Sequence, residues 1–127
     1  MGHPPVLVVE QIWRIDVEEL IIKNRMMSRK EKFIEIVKRE SDVLRAHGVK
    51  EIGIFGSVSR GEELDQSDYD VLVVFEEGKK SFRNFVAVSD LLENGLGSPV
   101  DLVTREGLSP HIGPHILKEA EYVPIAS

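Results

Sequence analysis

The stretch SDYDVLVVF, residues 67–75, joins two aspartates to an almost continuous apolar run. Such a run is typical of a strand that is covered on both faces, so we interpret it as the central strand of a sheet. Alternate strand residues face the same side, which places Asp68 and Asp70 on one face. Two carboxylates this close repel each other and resist burial unless a cation or water neutralises them. The start of this strand is therefore a candidate functional site.

A second candidate feature precedes this strand, in the sequence GSVSRGE at residues 56–62. It ends a stretch of β-branched and aromatic residues, 49–55, that suits a strand. A turn from a strand into a short helix can present free backbone N–H groups to a phosphate. Gly56 would permit a close approach, the Ser57 hydroxyl would add a donor and Arg60 would add charge. Taken alone, such a Gly-Ser turn is more often an ordinary connection.

A third acid, Asp101, stands between apolar residues in a short predicted strand at 99–104. An isolated acid at such a position can simply be solvated at the rim of a sheet. Three acids at strand positions opposite a phosphate-type turn favour function instead. Carboxylate oxygens are the ligands of hard cations, so Asp68, Asp70 and Asp101 are candidate ligands for Mg²⁺.

Helical patterns flank these strands. A Ser-x-x-Glu capping box at 28–31 predicts a helix that runs to Gly48, and Ser81 predicts the start of a second helix. Pro114 limits the next segment to a helix start or a broken helix, followed by a short extended stretch at 122–125. The predicted order from the capping box onward is α-β-turn-β-α-β-α-β. The predicted core positions are Phe33, Ile34, Ile36, Val37, Val43 and Leu44 in the first helix, and Phe82, Phe85, Val86 and Leu92 in the second, with Val88 or Leu91.

The chain divides into residues 1–27 and residues 28–127 in this interpretation. Trp13, Val17, Leu20 and Ile21 recur at helical spacing, which predicts a helical N-terminal extension. The total of 127 residues is enough for one compact domain with a hydrophobic core. We therefore expect one domain at 28–127 that carries all the candidate site residues.

Composition and charge exclude several classes of function. A net charge of -6 opposes a polyanion, so nucleic acid is unlikely as the main partner. The absence of cysteine excludes disulfides and thiolate metal sites and fits a reducing compartment. The apolar run at 5–9 is too short to cross a bilayer, and no secretory leader pattern opens the chain. We expect a cytoplasmic protein with no membrane partner.

The motif around the two aspartates resembles that of a known family. Gly56-Ser57, ten intervening residues and Asp68-x-Asp70 match the signature of the polymerase-beta-like nucleotidyltransferases. The wider pattern resembles the minimal nucleotidyltransferase (MNT) branch, many of whose members are antitoxins encoded beside HEPN-domain toxins. The resemblance covers about residues 28–125, including Asp101 and a closing Ile-Leu-x-Glu-Ala segment at 116–120.

The resemblance implies a fold, a reaction and a set of site residues. The fold is α+β, a small mixed β-sheet packed against helices in two layers. The reaction is Mg²⁺-dependent transfer of a nucleoside monophosphate, with AMP from ATP expected, to a hydroxyl of a partner protein such as a HEPN toxin. The implied catalytic and metal-binding residues are Asp68, Asp70 and Asp101, and the nucleotide-binding candidates are Gly56, Ser57, Arg60 and Ser67.

Two other functions stay open from the sequence. The chain could neutralise a toxin by stable binding with little or no catalysis, or it could modify a small molecule or an RNA end. The intact acids disfavour the first, and the acidic charge disfavours the RNA acceptor. The nucleobase, the acceptor and a possible homo-oligomeric state are not encoded in a motif that we recognise.

Overall fold

The computed structural model describes residues 18–19, 21–22, 26–61 and 68–125. In the N-terminal extension the described residues before Met27 are helical, while the remaining part of the helical prediction for 1–27 lies outside the described residues. Ser67 also lies outside them. The boundary between extension and domain at residue 28 stays a prediction.

Five helices, four strands and one 3₁₀ turn follow one another in the described part of the chain from residue 29 onward. Their order agrees with the sequence prediction, except that the first predicted helix is divided in two. The elements are α1 (Arg29–Arg39), α2 (Ser41–Ala46), β1 (Val49–Phe55), α3 (Gly56–Arg60), β2 (Tyr69–Phe75), α4 (Phe82–Leu96), β3 (Val100–Thr104), a 3₁₀ turn (Arg105–Gly107), α5 (Gly113–Glu119) and β4 (Glu121–Tyr122). None of the helices in this part of the chain is long and apolar enough to span a bilayer.

The four strands form one mixed sheet in the order β3-β2-β1-β4. β1 is antiparallel to β2 and β4, whereas β2 is parallel to β3. β2 is an inner strand whose residues from Val71 to Phe75 are all buried. Both the predicted bounds of this strand and the predicted mixed sheet are confirmed.

The main core lies between one face of the sheet and the helices α1 and α4. Tyr69, Val71 and Val73 of β2 are buried in it together with Phe33 and Leu92 from the two helices. The rings of Phe33 and Tyr69 stack with their centroids 6.5 Å apart. Burial of this apolar surface is the main stabilising contribution to the fold.

The opposite face of the sheet is covered in part. Leu72 and Val74 of β2 point to this face and are also buried. Because β3 and β4 lie at opposite edges, the connection over residues 105–120 has to cross the sheet. Near its start, Arg105 pairs with Glu51 of β1 at 3.0 Å, and Glu51 stands opposite Val74 in the register. This face is where Asp70 lies.

Local signals at the helix ends are confirmed. The Ser28 hydroxyl accepts from the backbone N–H of Glu31, and the Glu31 carboxylate accepts from the backbone N–H of Ser28. The Ser81 hydroxyl caps α4 by accepting from the backbone N–H of Asn84. Pro114 stands in the first turn of α5, where a missing N–H leaves no helical hydrogen bond unmade. These features depend on residues close in sequence, which is why sequence patterns predict them.

The first helix is not continuous, which corrects one prediction. The helix ends at Arg39 and a second one begins at Ser41, because Glu40 leaves the helical conformation at φ -100° and ψ 18°. The Ser41 hydroxyl donates to the carbonyls of Val37 and Lys38, a local bond that competes with regular helix geometry. The buried residues of α2 are Ser41 and Leu44, and Val43, predicted to be core, is 41% exposed.

Phe82 is a second correction, since it was predicted to face the core and is 83% exposed. The buried side of α4 is set by Val88 and Leu92, with Phe85 partly buried beside them. At 3.6 residues per turn, Phe82 lies about 120° around the helix from Val88. The final extended segment is also shorter than predicted, with strand pairing only over Glu121–Tyr122.

Candidate active site

Two of the three predicted aspartates are direct neighbours in the sheet. Asp70 of β2 pairs in register with Asp101 of β3, and directly paired residues on adjacent strands share a face. Tyr69, which precedes Asp70, is 1% exposed and turned into the helix-covered core. Asp68 stands one residue before β2, and alternation puts it on the Asp70 side. The register therefore puts Asp101 on the same face as Asp70.

The turn at the end of β1 packs closely against Asp70. Gly56 has φ +74°, and a Cβ atom added to it would overlap the Asp70 Oδ2 atom. Phe55 stands opposite Asp70 in the sheet register and precedes α3, which begins at Gly56. The first N–H groups of a helix have no partner within the helix, and the half-buried Ser57 is in this first turn. The predicted phosphate turn thus adjoins the acid-bearing strand.

Arg60 lies at the other end of α3 and contacts an acid that we did not include in the predicted site. Its Nη1 atom donates to Oε1 of Glu119, the last residue of α5. The two side chains are 47% and 21% exposed, respectively. The sequence offered one signal for Glu119, since it belongs to the Ile-Leu-x-Glu-Ala segment that resembles the family pattern.

The electrostatics of these residues meet at Asp70. Burial raises the pKa of Asp70, and repulsion from Asp101 and Asp68 raises it further, while Arg60 lowers it and Glu119 raises it. The half-buried Asp70 therefore carries its charge at a cost. A cation or a hydrogen-bond donor brought to this face would reduce that cost.

The three aspartates provide the carboxylate oxygens that Mg²⁺ prefers, although their arrangement in this structure does not form a complete metal site. Within residues 18–19, 21–22, 26–61 and 68–125, no group of three or more His, Cys, Asp or Glu side chains is arranged so that it could hold a metal ion. Mg²⁺ prefers carboxylate oxygens and often keeps several waters as ligands. The negative charge that accumulates around Asp70 is what such an ion would neutralise. Metal binding by the three aspartates stays a prediction.

Comparison with known proteins places this site in a family. The model of the nucleotidyltransferase domain matches residues 30–123. This chain belongs to the nucleotidyltransferase domain family. The match contains the Gly-Ser turn, all three aspartates and Glu119, and it confirms the resemblance, the fold class and the assignment to an enzyme family that the motifs predicted.

Individual nucleotidyltransferases of similar size support the same assignment. The protein adenylyltransferase MntA of Thermococcus cleftensis is 40% identical over 88 residues, which cover 69% of this chain and 88% of that protein. A solved structure that is provisionally named a minimal nucleotidyltransferase is 35% identical to this chain, with a TM-score of 0.57. The match covers 69% of this chain and 93% of the chain in that structure. A toxin–antitoxin complex solved with AMP-PNP has a TM-score of 0.56 at 21% identity, covering 77% and 74%, which shows a shared fold.

Proposed function

We propose that this protein is an Mg²⁺-dependent protein adenylyltransferase that moves AMP from ATP to a hydroxyl of a partner protein. The observation that carries the proposal is the pairing of Asp70 with Asp101 on one face of the sheet, with Gly56 packed against Asp70. Similarity to a named protein adenylyltransferase supports the choice of AMP and of a protein acceptor.

Each site residue has a defined task in this proposal. Asp68 and Asp70 would hold the cation, and the turn at Gly56 and Ser57 would bind the terminal phosphates. When bound, Mg²⁺ would supply positive charge against the triphosphate and the leaving pyrophosphate. Asp101 would accept the proton of the attacking hydroxyl. The new bond joins the acceptor oxygen to the α-phosphorus, the bond from that phosphorus to the β-phosphate oxygen breaks, and pyrophosphate leaves.

The proposed acceptor is a HEPN-type toxin. The MNT resemblance of the motif supports a toxin partner, as does the shared fold with the antitoxin-containing complex. The net charge of -6 would attract a basic partner surface and speed its association. An added AMP group is bulky and anionic, so it would block an RNase site by occupying it and by repelling RNA phosphates.

The test is a transfer assay with the purified protein, a HEPN-type partner encoded beside it, ATP and Mg²⁺. We expect intact mass spectrometry to show one or more added AMP groups on the partner. The matched control is the double variant Asp68→Asn and Asp70→Asn, which should fold but should neither bind Mg²⁺–ATP nor modify the partner. An unmodified partner that is still inhibited in a stable complex would replace this proposal with a binding-only antitoxin.

A further inference from the structure

The contact between Arg60 and Glu119 joins two short helices that are far apart in the sequence. Arg60 is the last residue of α3, the helix that begins at the Gly56 turn, and Glu119 is the last residue of α5. The Arg60 guanidinium donates to the Glu119 carboxylate across a separation of 59 residues. Both charged groups act on the ionisation of Asp70, in opposite directions. Because the five-residue helix that ends at Arg60 begins at Gly56, which packs against Asp70, the contact lies next to the acid-bearing strand.

The negative charge of Glu119 would weaken the binding of an anion at this site, unless Glu119 acts through the cationic guanidinium of Arg60. Asp68, Asp70 and Asp101 already give this end of the sheet three carboxylates, and a nucleoside triphosphate would add further negative charge. Glu119 raises the pKa of Asp70, so its direct effect on the site is repulsive. An ion pair that is as exposed as this one contributes little to stability by itself. Neither effect explains why a carboxylate would be useful here.

A carboxylate at this position is useful if it restrains the side chain of Arg60. A long arginine side chain has many rotamers, and binding a ligand requires it to adopt one of them. A planar guanidinium has five N–H donors and can engage a carboxylate and a phosphate together. A carboxylate that holds the guanidinium beside Asp70 before nucleotide arrives would lower the entropic cost of binding.

We propose that Glu119 is a positioning residue that holds the Arg60 guanidinium ready for the phosphates of the nucleoside triphosphate. The inference rests on the proposed function, because it requires nucleotide to bind at the Gly56 turn. It assigns a task to the last residue of α5 and makes the connection that crosses the sheet part of the binding site. Glu119 acts only through Arg60 and does not touch the reacting atoms.

The chain offers a matched control two residues further on. Glu121 also forms an ion pair with a basic residue, since its Oε2 atom lies 2.5 Å from Lys30 Nζ. That contact reaches α1, on the helix-covered side of the sheet. Glu119→Ala and Glu121→Ala thus each remove one glutamate from one ion pair, and only the first of them lies beside Asp70.

The experiment measures the dissociation constant of AMP-PNP with Mg²⁺ by calorimetry, with thermal unfolding of every variant as a check on folding. We expect Glu119→Ala to weaken binding about three- to tenfold, and Glu121→Ala to leave it unchanged. Glu119→Gln keeps an oxygen that can accept from Arg60, so it should recover part of the loss and also serves if the alanine variant does not fold. In an Arg60→Ala background, Glu119→Ala should not weaken binding further, and loss of its direct repulsion would at most strengthen binding slightly.

Each alternative result has a definite meaning. Equal or tighter binding by Glu119→Ala would show that Glu119 acts as a repelling acid and would overturn the inference. A loss of the same size in the Arg60→Ala background would also overturn it, because Glu119 would then act independently of Arg60. If the unaltered protein bound no AMP-PNP, the proposed function would fail, and the inference with it.

Discussion

The two faces of β2 differ sharply over only three residues. On the helix-covered face, Tyr69 is buried, its hydroxyl donates to the backbone carbonyl of Arg29, and the Arg29 guanidinium lies 4.5 Å from the ring centroid. On the other face, its neighbours Asp68 and Asp70 are exposed and half-buried, respectively. Tyr69 thus anchors α1 to the sheet, while the aspartates on either side of it point to the opposite face. Alternation along the strand separates the buried core side chain from the candidate site acids.

The difference between the faces is also one of electrostatic cost. The helix-covered face buries apolar groups and a tyrosine whose polar atom is hydrogen-bonded. The acid-bearing face keeps negative charge where burial and neighbouring carboxylates penalise it. Substitutions of the aspartates on the acid-bearing face should therefore change activity with little loss of stability, and substitutions in the helix-covered core should do the reverse.

The largest expected effect is on catalysis, from Asp70→Asn. We expect AMP transfer to fall by more than about 1000-fold, equivalent to about 4 kcal/mol in activation free energy. The free energy of unfolding should not fall, because the variant removes a charge that is unfavourable in the folded state. Steady-state transfer rates and urea denaturation measure the two quantities. Asp90→Asn, at an exposed position on α4, is the control and should keep its activity. If Asp70→Asn kept more than a tenth of the original activity, the prediction would be wrong.

The complementary change is Leu92→Ala in the main core. Leu92 is fully buried, and replacing such a side chain by alanine costs about 2–5 kcal/mol. Urea denaturation should show that loss, while the nucleotide affinity of the folded fraction stays the same. Leu91→Ala, at a partly buried neighbouring position, should cost less. Equal destabilisation by both variants would mean that the buried side of α4 is assigned incorrectly.

Gly56→Ala should affect both properties, because Gly56 lies where the turn meets Asp70. Its positive φ and the overlap of a new Cβ with Asp70 predict a loss of about 1–3 kcal/mol in stability. Displacement of the Asp70 carboxylate should also weaken nucleotide binding. Gly97→Ala is the matched control, since Gly97 also has a positive φ (+64°) but has no neighbour within 4 Å of a new Cβ. If both variants lowered nucleotide affinity equally, close packing against Asp70 would not matter for the site.

The smallest expected effect is a dependence of stability on pH. Burial, with repulsion from Asp101 and Asp68, raises the pKa of Asp70 in the folded state. Stability from this group is then present below the unfolded pKa and is lost as the pH rises through the folded pKa. With a chelator present, the stability advantage of Asp70→Asn over the unaltered protein should grow between about pH 4 and pH 7. An advantage that is constant over this range would show that Asp70 titrates normally.

Most of the fold was predictable from the sequence because its elements depend on local patterns. The bounds of β1 and β2, the capping box at Ser28 and the cap at Ser81 all agree with the structure. The errors lie where packing overrides pattern. Val43 and Phe82 are apolar and yet exposed, because the buried sides of their helices are formed by other residues: Ser41 and Leu44 in α2, and Val88 and Leu92 in α4.

For the candidate site, too, some features could be predicted from the sequence and others could not. The sequence by itself identified the candidate site residues, since the spacing of Gly56-Ser57 and Asp68-x-Asp70 is readable without a structure. Only the tertiary structure decided that Asp101 stands beside Asp70 and that Glu119 reaches Arg60. Strand register and contacts between distant helices are set by how the elements pack, because many local sequences are compatible with more than one pairing. Local hydrogen bonds and side-chain alternation involve residues only a few positions apart, so the chain specifies them before any of that packing forms.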